Sequence, residues 1–313
     1  MDKQQMLARV ADLAKLPKVQ AGAAALLALS LLPRLSKWMS RRKVNNYLTD
    51  KSWDWKREVV VVTGGSSGIG ATIVAKLARR NVKVIILDLN GPQGALLPGT
   101  FFYQVDLSDP SAIASVADRV RKEHGDPTVL VNNAGIGNAM PLLDLPEPKI
   151  RKLFEVNIIA LILLVKEFLP SMVQRNHGHI VNIASMASFS TQASNVDYAC
   201  SKAAVLSFSE GLAQELRHIY KAHMVRTSVV HPTWVQTPMI AKLKEQGKMR
   251  DPTVTPEEVA DRIVDQLYST YGAQIVVPES LGWVSLLRGF PGWLQDSMRD
   301  SVSVDLLRAM SKD

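Results

Sequence analysis

The feature that most constrains this chain is a run of β-branched residues that ends in glycines, VVVVTGGSSGIG at positions 59–70. Such a run is typical of a buried parallel strand that enters a tight turn. The residues that follow place Ile73, Val74 and Leu77 at helical spacing. Glycines between a strand and a helix N terminus favour a bound phosphate, because main-chain N–H groups and the helix dipole point at it.

The second apolar run, VKVIIL at positions 82–87, ends in Asp88, eighteen residues after Gly70. A carboxylate there accepts hydrogen bonds from an adenosine ribose and repels a 2′-phosphate, which predicts NAD as the cofactor, with NADP as an alternative. A glycine-rich turn without a ligand is the alternative for the glycines alone, but the order strand, glycines, helix, strand and acid argues against it. The predicted fold is α/β: a doubly wound, mostly parallel sheet of the Rossmann type with helices on both faces.

Tyr198 and Lys202 are four residues apart in YACSK, so on a helix they share one face. By itself such a pair is typical of a solvated helix face. Next to a phosphate-binding loop it predicts proton transfer, because a nearby cation favours the phenolate and lowers the pKa of Tyr198.

From about Glu58 to Val277 the motifs resemble, in order, those of the short-chain dehydrogenase/reductase family in its single-domain branch. Residues 63–70 resemble its TGxxxGxG loop, and residues 132–135 its NNAG signature. The resemblance implies that Asp88, Tyr198 and Lys202 contact the cofactor. It implies the same of Thr63, Gly64, Ser66, Ser67, Gly68, Ile69, Gly70, Asp106, Leu107, Asn133, Ala134, Gly135, Pro232 and Thr237.

The resemblance also implies a catalytic set of Asn157, Ser185, Tyr198 and Lys202. Tyr198 would be the general acid or base, Lys202 would lower its pKa and bind the nicotinamide ribose, and Ser185 would bind the substrate oxygen. Asn157 would hold a water that links Lys202 to solvent. Taken singly, Asn157 also fits a helix kink, Ser185 a strand-end hydroxyl and Asp106 a turn.

One position departs from the family pattern. The family usually has Pro-Gly after its sixth strand, whereas here Thr233 follows Pro232. The motif therefore does not predict the backbone conformation at Thr233, because glycine reaches conformations that a β-branched residue avoids. Hydroxysteroid and retinol dehydrogenases, lipid-metabolising branches of the family that this chain resembles, often lack this glycine as well. The segment from Thr237 to Thr253 is predicted to be a substrate loop.

The formal charge of +8 lies entirely in residues 1–57, which hold 12 Lys and Arg against 4 Asp, while residues 58–313 carry 25 basic and 25 acidic residues. A neutral body without nucleic-acid-binding motifs excludes a nucleic-acid partner. The predicted domains are a basic extension (1–57), a dehydrogenase domain (58–278) and a C-terminal extension (279–313).

The basic extension contains an apolar segment at about 19–32, between Pro17 and Pro33 and flanked by lysines and arginines. A monotopic anchor, for example a hairpin, fits such a short segment best; a tilted span and a helix packed on the core are the alternatives. The tryptophans and leucines around 283–294 fit a pocket lid or a membrane contact equally well.

A single cysteine, Cys200, predicts a reducing, cytosol-facing domain. The histidines, interpreted as turn residues, predict no metal. The hypothesis is a membrane-associated oxidoreductase of the endoplasmic reticulum or lipid droplets that acts on a lipophilic alcohol, ketone or aldehyde. A biosynthetic ketoreductase and a lipid-droplet coat protein are the alternatives. A homodimer is expected by analogy.

Overall fold

The structure is a computed structural model that describes residues 5, 16–241 and 253–310. It divides into two compact units, Met1–Tyr47 and Leu48–Asp313. Residues 48–57, which the sequence assigned to the basic extension, therefore belong to the larger unit. Most of the predicted substrate loop, residues 242–252, lies outside the described residues.

A seven-stranded parallel sheet forms the centre of the larger unit, in the order β3-β2-β1-β4-β5-β6-β7. Its inner strands are almost entirely buried because helices cover both faces, as the apolar runs predict. The predicted doubly wound α/β fold is confirmed. The strands are β1 (Val59–Thr63), β2 (Lys83–Asp88), β3 (Thr100–Gln104), β4 (Val129–Asn132), β5 (Gly178–Ile183), β6 (Val225–Pro232) and β7 (Gln274–Val277).

Helices connect the strands, except that the short connection between β2 and β3 contains none. A π-helical turn, Glu155–Ile159, interrupts the helix before β5. Such turns often occur at functional sites. Among the described residues of the larger unit, the α-helices are α2 (Gly68–Ala78), α3 (Pro110–His124), α4 (Glu147–Phe154), α5 (Ala160–Arg175), α6 (Val196–His218), α7 (Pro256–Tyr268) and α8 (Gly292–Met310).

In the part of the smaller unit that the structure describes, a continuous helix, α1 (Pro17–Val44), passes through Pro33 rather than ending there. The helix includes the predicted anchor segment 19–32, most of whose side chains lie outside what the structure describes. In its second half, Leu32, Leu35, Trp38 and Met39 are more than half exposed.

By length and composition, one helix in the described part of the chain could cross a membrane: the stretch Glu147–Arg175 that comprises α4, the π turn and α5. Half of its apolar window is buried within the protein, as in the core helix of a globular domain. It is not the N-terminal segment for which an anchor was predicted.

The interpretation of the histidines as turn residues is wrong for four of the six: His124 and His218 are the last residues of α3 and α6, and two others lie in strands. His179 lies in β5 and His231 in β6, and both are fully buried. Each finds a partner inside the sheet layer: the Ser228 hydroxyl for His179 and the Ser185 carbonyl for His231. Strand positions hold these rings because a neutral imidazole with one donor and one acceptor can be buried once it is hydrogen-bonded.

Candidate active site

The carboxyl ends of the parallel strands surround a cavity of about 780 Å³. The chain leaves β1 toward one edge of the sheet and continues from β4 toward the other, so the sheet reverses its winding between these two strands. In open α/β sheets a crevice outside the strand ends at this point is the place where ligands bind. Most of the predicted site residues lie here.

The glycine loop forms one end of the cavity. Gly64 and Gly68 have φ values of +62° and +53°, which only glycine adopts without strain. Ser67 precedes α2 without making a side-chain cap, so the first N–H groups of that helix are left to bind a ligand. A Cβ at Gly70 would lie 2.1 Å from the Gly64 carbonyl oxygen, so this glycine allows the helix to pack onto the loop.

Thr63 and Asn133 hold the loop in place from below. The Thr63 hydroxyl accepts hydrogen bonds from the main-chain N–H groups of Asn133 and Ala134, both at 2.9 Å. The Asn133 amide in turn donates to the carbonyls of Thr63 (3.0 Å) and Gly64 (3.1 Å). These bonds join the end of β1 to the end of β4.

Asp88 lies on the cavity wall at the end of β2. Its carboxylate accepts hydrogen bonds from the N–H groups of Ser66 (3.0 Å) and Asn90 (3.2 Å), so it also fixes the glycine loop. Asp106 lines the same end of the cavity, and hydrogen bonds from the Ser108 hydroxyl and N–H keep the pKa of its carboxyl below the ordinary value. Both acids have acceptor capacity toward the cavity.

Ser185 and Tyr198 meet on the wall of the cavity. Ser185 follows β5 in an extended conformation, and its hydroxyl accepts a hydrogen bond from the Ala187 N–H (3.1 Å). The Tyr198 phenol, near the start of α6, lies close enough to the Ser185 side chain for that hydroxyl to lower the pKa of Tyr198. The two hydroxyl groups are therefore placed to bind the same substrate atom.

The predicted direction of the Tyr198 pKa is wrong. Burial raises the pKa of Tyr198 above its ordinary value, and the hydrogen bond from Ser185 is the contribution that lowers it. Lys202 does not reverse this effect: its ammonium donates to the Ile183 carbonyl (2.8 Å) and lies 5.6 Å from the centre of the Tyr198 ring.

Lys202 is itself buried, with 4 % of its surface exposed, and burial lowers its pKa to about 8. A lysine in this range changes its charge near neutral pH, unlike a surface lysine.

Lys202→Met is expected to increase the free energy of unfolding at pH 7. The folded pKa of Lys202 lies below the unfolded value, so its burial penalty is full below pH 8 and disappears as the pH rises toward 10.5. The stability difference between the variant and the wild type should therefore shrink by about 3 kcal/mol over this range. Urea unfolding of both proteins from pH 7 to 10.5 measures it; a pH-independent difference would contradict the shift.

Asn157 lies behind the cavity, in the π-helical turn, and is 1 % exposed. Its side-chain amide pairs with both main-chain groups of Ile136, at 2.8 and 2.9 Å, and donates to the Ser201 hydroxyl at 3.0 Å. Ser201 passes the connection on to the Tyr198 carbonyl (2.7 Å). The amide of Asn157 therefore ties the β4 loop to the helix that carries Tyr198 and Lys202.

Four of the predicted site residues, Thr63, Ser66, Gly70 and Asn157, lie outside the cavity lining and support it from behind. The other predicted residues line the cavity: Gly64, Ser67, Gly68, Ile69, Asp88, Asp106, Leu107, Asn133, Ala134, Gly135, Ser185, Tyr198, Lys202, Pro232 and Thr237. Thr233 has a negative φ and its N–H donates to the Val277 carbonyl (2.9 Å), so the family's glycine is not needed here.

The far wall of the cavity, which the motifs did not predict, comes largely from the C-terminal extension: Leu281, Trp283, Val284, Leu287, Met298, Val302 and Leu306. Arg288 donates to the Ser188 carbonyl (3.0 Å), and the Ser303 hydroxyl accepts from the Ala193 N–H (3.0 Å). The extension therefore packs on the loop after Ser185, as the lid interpretation requires. Only the apolar composition of 281–306 signals this role, and it does not distinguish a lid from a membrane contact.

The family model for short chain dehydrogenase matches residues 58–248. The chain belongs to this family. Dehydrogenase RED2 of Cochliobolus heterostrophus is 45 % identical over 201 residues, covering 64 % of this chain and 76 % of the relative. Estradiol 17-beta-dehydrogenase 11 of Mus musculus is 32 % identical over 265 residues, covering 82 % of this chain and 87 % of the relative. The predicted similarity to hydroxysteroid dehydrogenases is confirmed.

Among solved structures, a metagenomic short-chain oxidoreductase in complex with NADP is 29 % identical, with a TM-score of 0.58. The match covers 71 % of this chain and 97 % of that one. The residues of this dehydrogenase fit such a cofactor, because Gly64 and Gly68 present bare backbone to the cavity and α2 presents uncapped N–H groups. The protein is an NAD(P)-dependent oxidoreductase that acts on CH–OH groups.

Among the described residues, no group of three or more histidines, cysteines or acids is arranged to hold a metal ion.

Proposed function

We propose that this dehydrogenase is membrane-associated and transfers a hydride between NAD(H) and a lipophilic alcohol, ketone or aldehyde of the sterol, retinoid or long-chain type. The observation that carries the proposal is one cavity with two unlike ends. The glycine loop and two acids surround one end, apolar side chains of the C-terminal extension surround the other, and Ser185, Tyr198 and Lys202 line the space that both ends share.

The proton chemistry belongs to Ser185 and Tyr198. When a carbonyl is reduced, the Tyr198 phenol donates a proton to the oxygen; when an alcohol is oxidised, the phenolate accepts it. The Ser185 hydroxyl hydrogen-bonds the same oxygen and stabilises the negative charge that develops on it. Lys202 binds the ribose of the cofactor with its ammonium group and keeps positive charge near the phenol. The bound nicotinamide supplies or accepts the hydride.

The preference for NAD rests on Asp88, whose charge would repel a 2′-phosphate. Asp88→Asn keeps an oxygen that can accept from Ser66 but removes the charge. We expect the ratio of kcat/KM for NAD⁺ to that for NADP⁺ to fall at least about tenfold, because a like-charge contact in a cavity costs more than about 1.4 kcal/mol.

Steady-state kinetics with both cofactors measure this ratio. Asp126→Asn is the control and should leave the ratio unchanged. Asp126 is an exposed acid that precedes β4, so it lies at the amino ends of the strands, away from the cavity at their carboxyl ends. A wild-type enzyme that prefers NADPH would refute the role of Asp88.

The apolar far wall supports a lipophilic substrate. Trp234 and Met239 from the loop after β6 add to the apolar side chains of the C-terminal extension. A relative named for the oxidation of estradiol supports the same class. Purified enzyme with NAD⁺ and estradiol, retinol or dodecan-1-ol tests this proposal; turnover confined to small polar alcohols would contradict it.

Membrane association rests on the N-terminal extension. In the second half of α1, the exposed apolar residues Leu32, Leu35 and Met39 recur at helical spacing, and Arg34, Lys37 and Arg41 recur between them. Such a helix suits an anionic interface, with the apolar face in the lipid and the basic face toward the headgroups. We propose the cytosolic face of the endoplasmic reticulum or of lipid droplets as its location, and a homodimer as its assembly.

Deletion of residues 1–43 is expected to move the protein from the membrane or droplet fraction to the soluble fraction, while kcat on a dispersed substrate stays within about twofold. In the full chain, the double substitution Leu35→Ser with Met39→Ser should shift part of the protein to the soluble fraction without changing its charge. Fractionation followed by activity assays measures both. Equal distribution of the full and truncated chains would refute the anchor.

A further inference from the structure

His231 is the next-to-last residue of β6 and directly precedes the cavity residue Pro232. The ring does not line the cavity and is fully buried behind it. Its Nδ1 atom lies 3.1 Å from the main-chain oxygen of Ser185. A buried histidine thus contacts the backbone of the serine that the proposed mechanism uses.

The surroundings of His231 select one tautomer. A carbonyl oxygen only accepts, so Nδ1 carries the hydrogen, and Nε2 is left to accept from the Gln274 amide at 3.4 Å. Burial and the charge of Lys202 lower the pKa of His231 to about 4, so the ring is neutral at physiological pH. The Phe189 ring packs against it with centroids 4.5 Å apart.

We propose that His231 is a positioning residue for hydride transfer: it holds the Ser185 main chain so that the Ser185 hydroxyl faces the Tyr198 phenol. This inference rests on the function proposed above. The Ser185 carbonyl is then held by His231 and by the Ser188 N–H (3.0 Å), and the Ser185 hydroxyl by the Ala187 N–H. Without the histidine, the Ser185 carbonyl keeps only the hydrogen bond from the Ser188 N–H, so the backbone at the end of β5 can shift and carry the hydroxyl away from Tyr198.

The consequence is a loss in kcat rather than in cofactor binding. A displacement of about 1 Å in a reacting group can cost about 100-fold in rate. Cofactor affinity should be unchanged, because His231 contacts neither the glycine loop nor the acids at the cofactor end of the cavity.

Two amide substitutions separate positioning from simple loss of packing. In His231→Asn the amide nitrogen occupies the place of Nδ1 and can still donate to the Ser185 carbonyl. In His231→Gln it occupies the place of Nε2 and cannot. We expect the Gln variant to lose about 30-fold or more in kcat and the Asn variant less than about fivefold, with KM for NAD⁺ within twofold in both.

The pH profile gives an independent signature. For alcohol oxidation, kcat/KM rises as Tyr198 loses its proton, and the Ser185 hydrogen bond lowers the pKa of Tyr198. The rise should therefore move to higher pH in His231→Gln and stay in place in His231→Asn. The substrate is whichever of estradiol, retinol and dodecan-1-ol the wild type oxidises fastest.

His179 provides the matched control, because it is an equally buried histidine of the same sheet that bonds the Ser228 hydroxyl (2.8 Å) and lies away from the cavity. His179→Gln should lower the unfolding midpoint but leave kcat and the pH profile unchanged. Equal kcat in His231→Gln and His231→Asn, or an equal loss in His179→Gln, would overturn the proposal.

Ser185→Ala separates this inference from the proposed function. If Ser185→Ala lowers kcat at least about 100-fold and His231→Gln does not lower it, only the positioning role is wrong. If Ser185→Ala retains wild-type turnover, the proposed catalytic site itself is wrong.

Discussion

Replacing Tyr198 by phenylalanine is expected to lower kcat by about 1000-fold in both reaction directions, since positioned acid–base groups contribute about 100- to 10,000-fold. The substitution removes only the phenol oxygen. The ring that faces the Lys202 ammonium remains, and Lys202 keeps its hydrogen bond to the Ile183 carbonyl. The dissociation constant for NADH should therefore stay within about threefold, as measured by the change in nicotinamide fluorescence.

Cys200→Ser is the control for this prediction. Cys200 lies two residues away on the same helix, but its side chain is exposed and lines no part of the cavity. Its substitution should leave kcat unchanged. A Tyr198→Phe variant that retains more than about a tenth of the wild-type rate would show that another group transfers the proton.

Replacing Gly70 by alanine is expected to lower the free energy of unfolding by about 3 kcal/mol and to weaken NAD binding at the same time. The new Cβ would lie 2.1 Å from the Gly64 carbonyl oxygen and 2.6 Å from Nδ2 of Asn133. Neither atom can move freely, because the Asn133 amide holds the Gly64 and Thr63 carbonyls. Relief of the overlap must therefore displace the glycine loop itself.

Thermal unfolding and titration with NADH measure the two effects, and the midpoint should fall by about 6–12 °C for a domain of this size. Gly211→Ala is the control: Gly211 lies in α6 with no atom within 4 Å of the added Cβ. That variant should gain up to about 1 kcal/mol of stability, because alanine favours a helix over glycine. A Gly70→Ala variant as stable as the wild type would contradict the close packing of α2 on the loop.

The parts of the fold that depend on short stretches of chain follow from the sequence. The β-branched run before Gly64 predicts β1, and the apolar run that ends at Asp88 predicts β2, because a strand buried on both faces must be apolar throughout. The glycines predict the turn because glycine adopts a positive φ without the strain that other residues have there. The family motifs predicted that Ser185, Tyr198 and Lys202 share one site, and all three line one cavity.

Three features of the site did not follow from local sequence. The pKa of Tyr198 moves up rather than down, because the depth of burial and the direction of the Lys202 ammonium arise only when β5 and α6 pack together. Asn157 bonds Ile136 and Ser201 instead of facing the cavity. His231, interpreted as a turn residue, lies in a strand and holds the serine backbone.

The sequence by itself therefore determined the layer architecture, the glycine loop, the acid at the end of β2 and the candidate residues for proton transfer. Each of these depends on residue type and on spacing along a single element. The tertiary structure decided which side chains support the cavity from behind, which segment closes its far wall and how the charges of Tyr198 and Lys202 are tuned. These properties depend on contacts between residues far apart in the chain, such as Arg288 with Ser188 and His231 with Ser185, and on the burial that those contacts create.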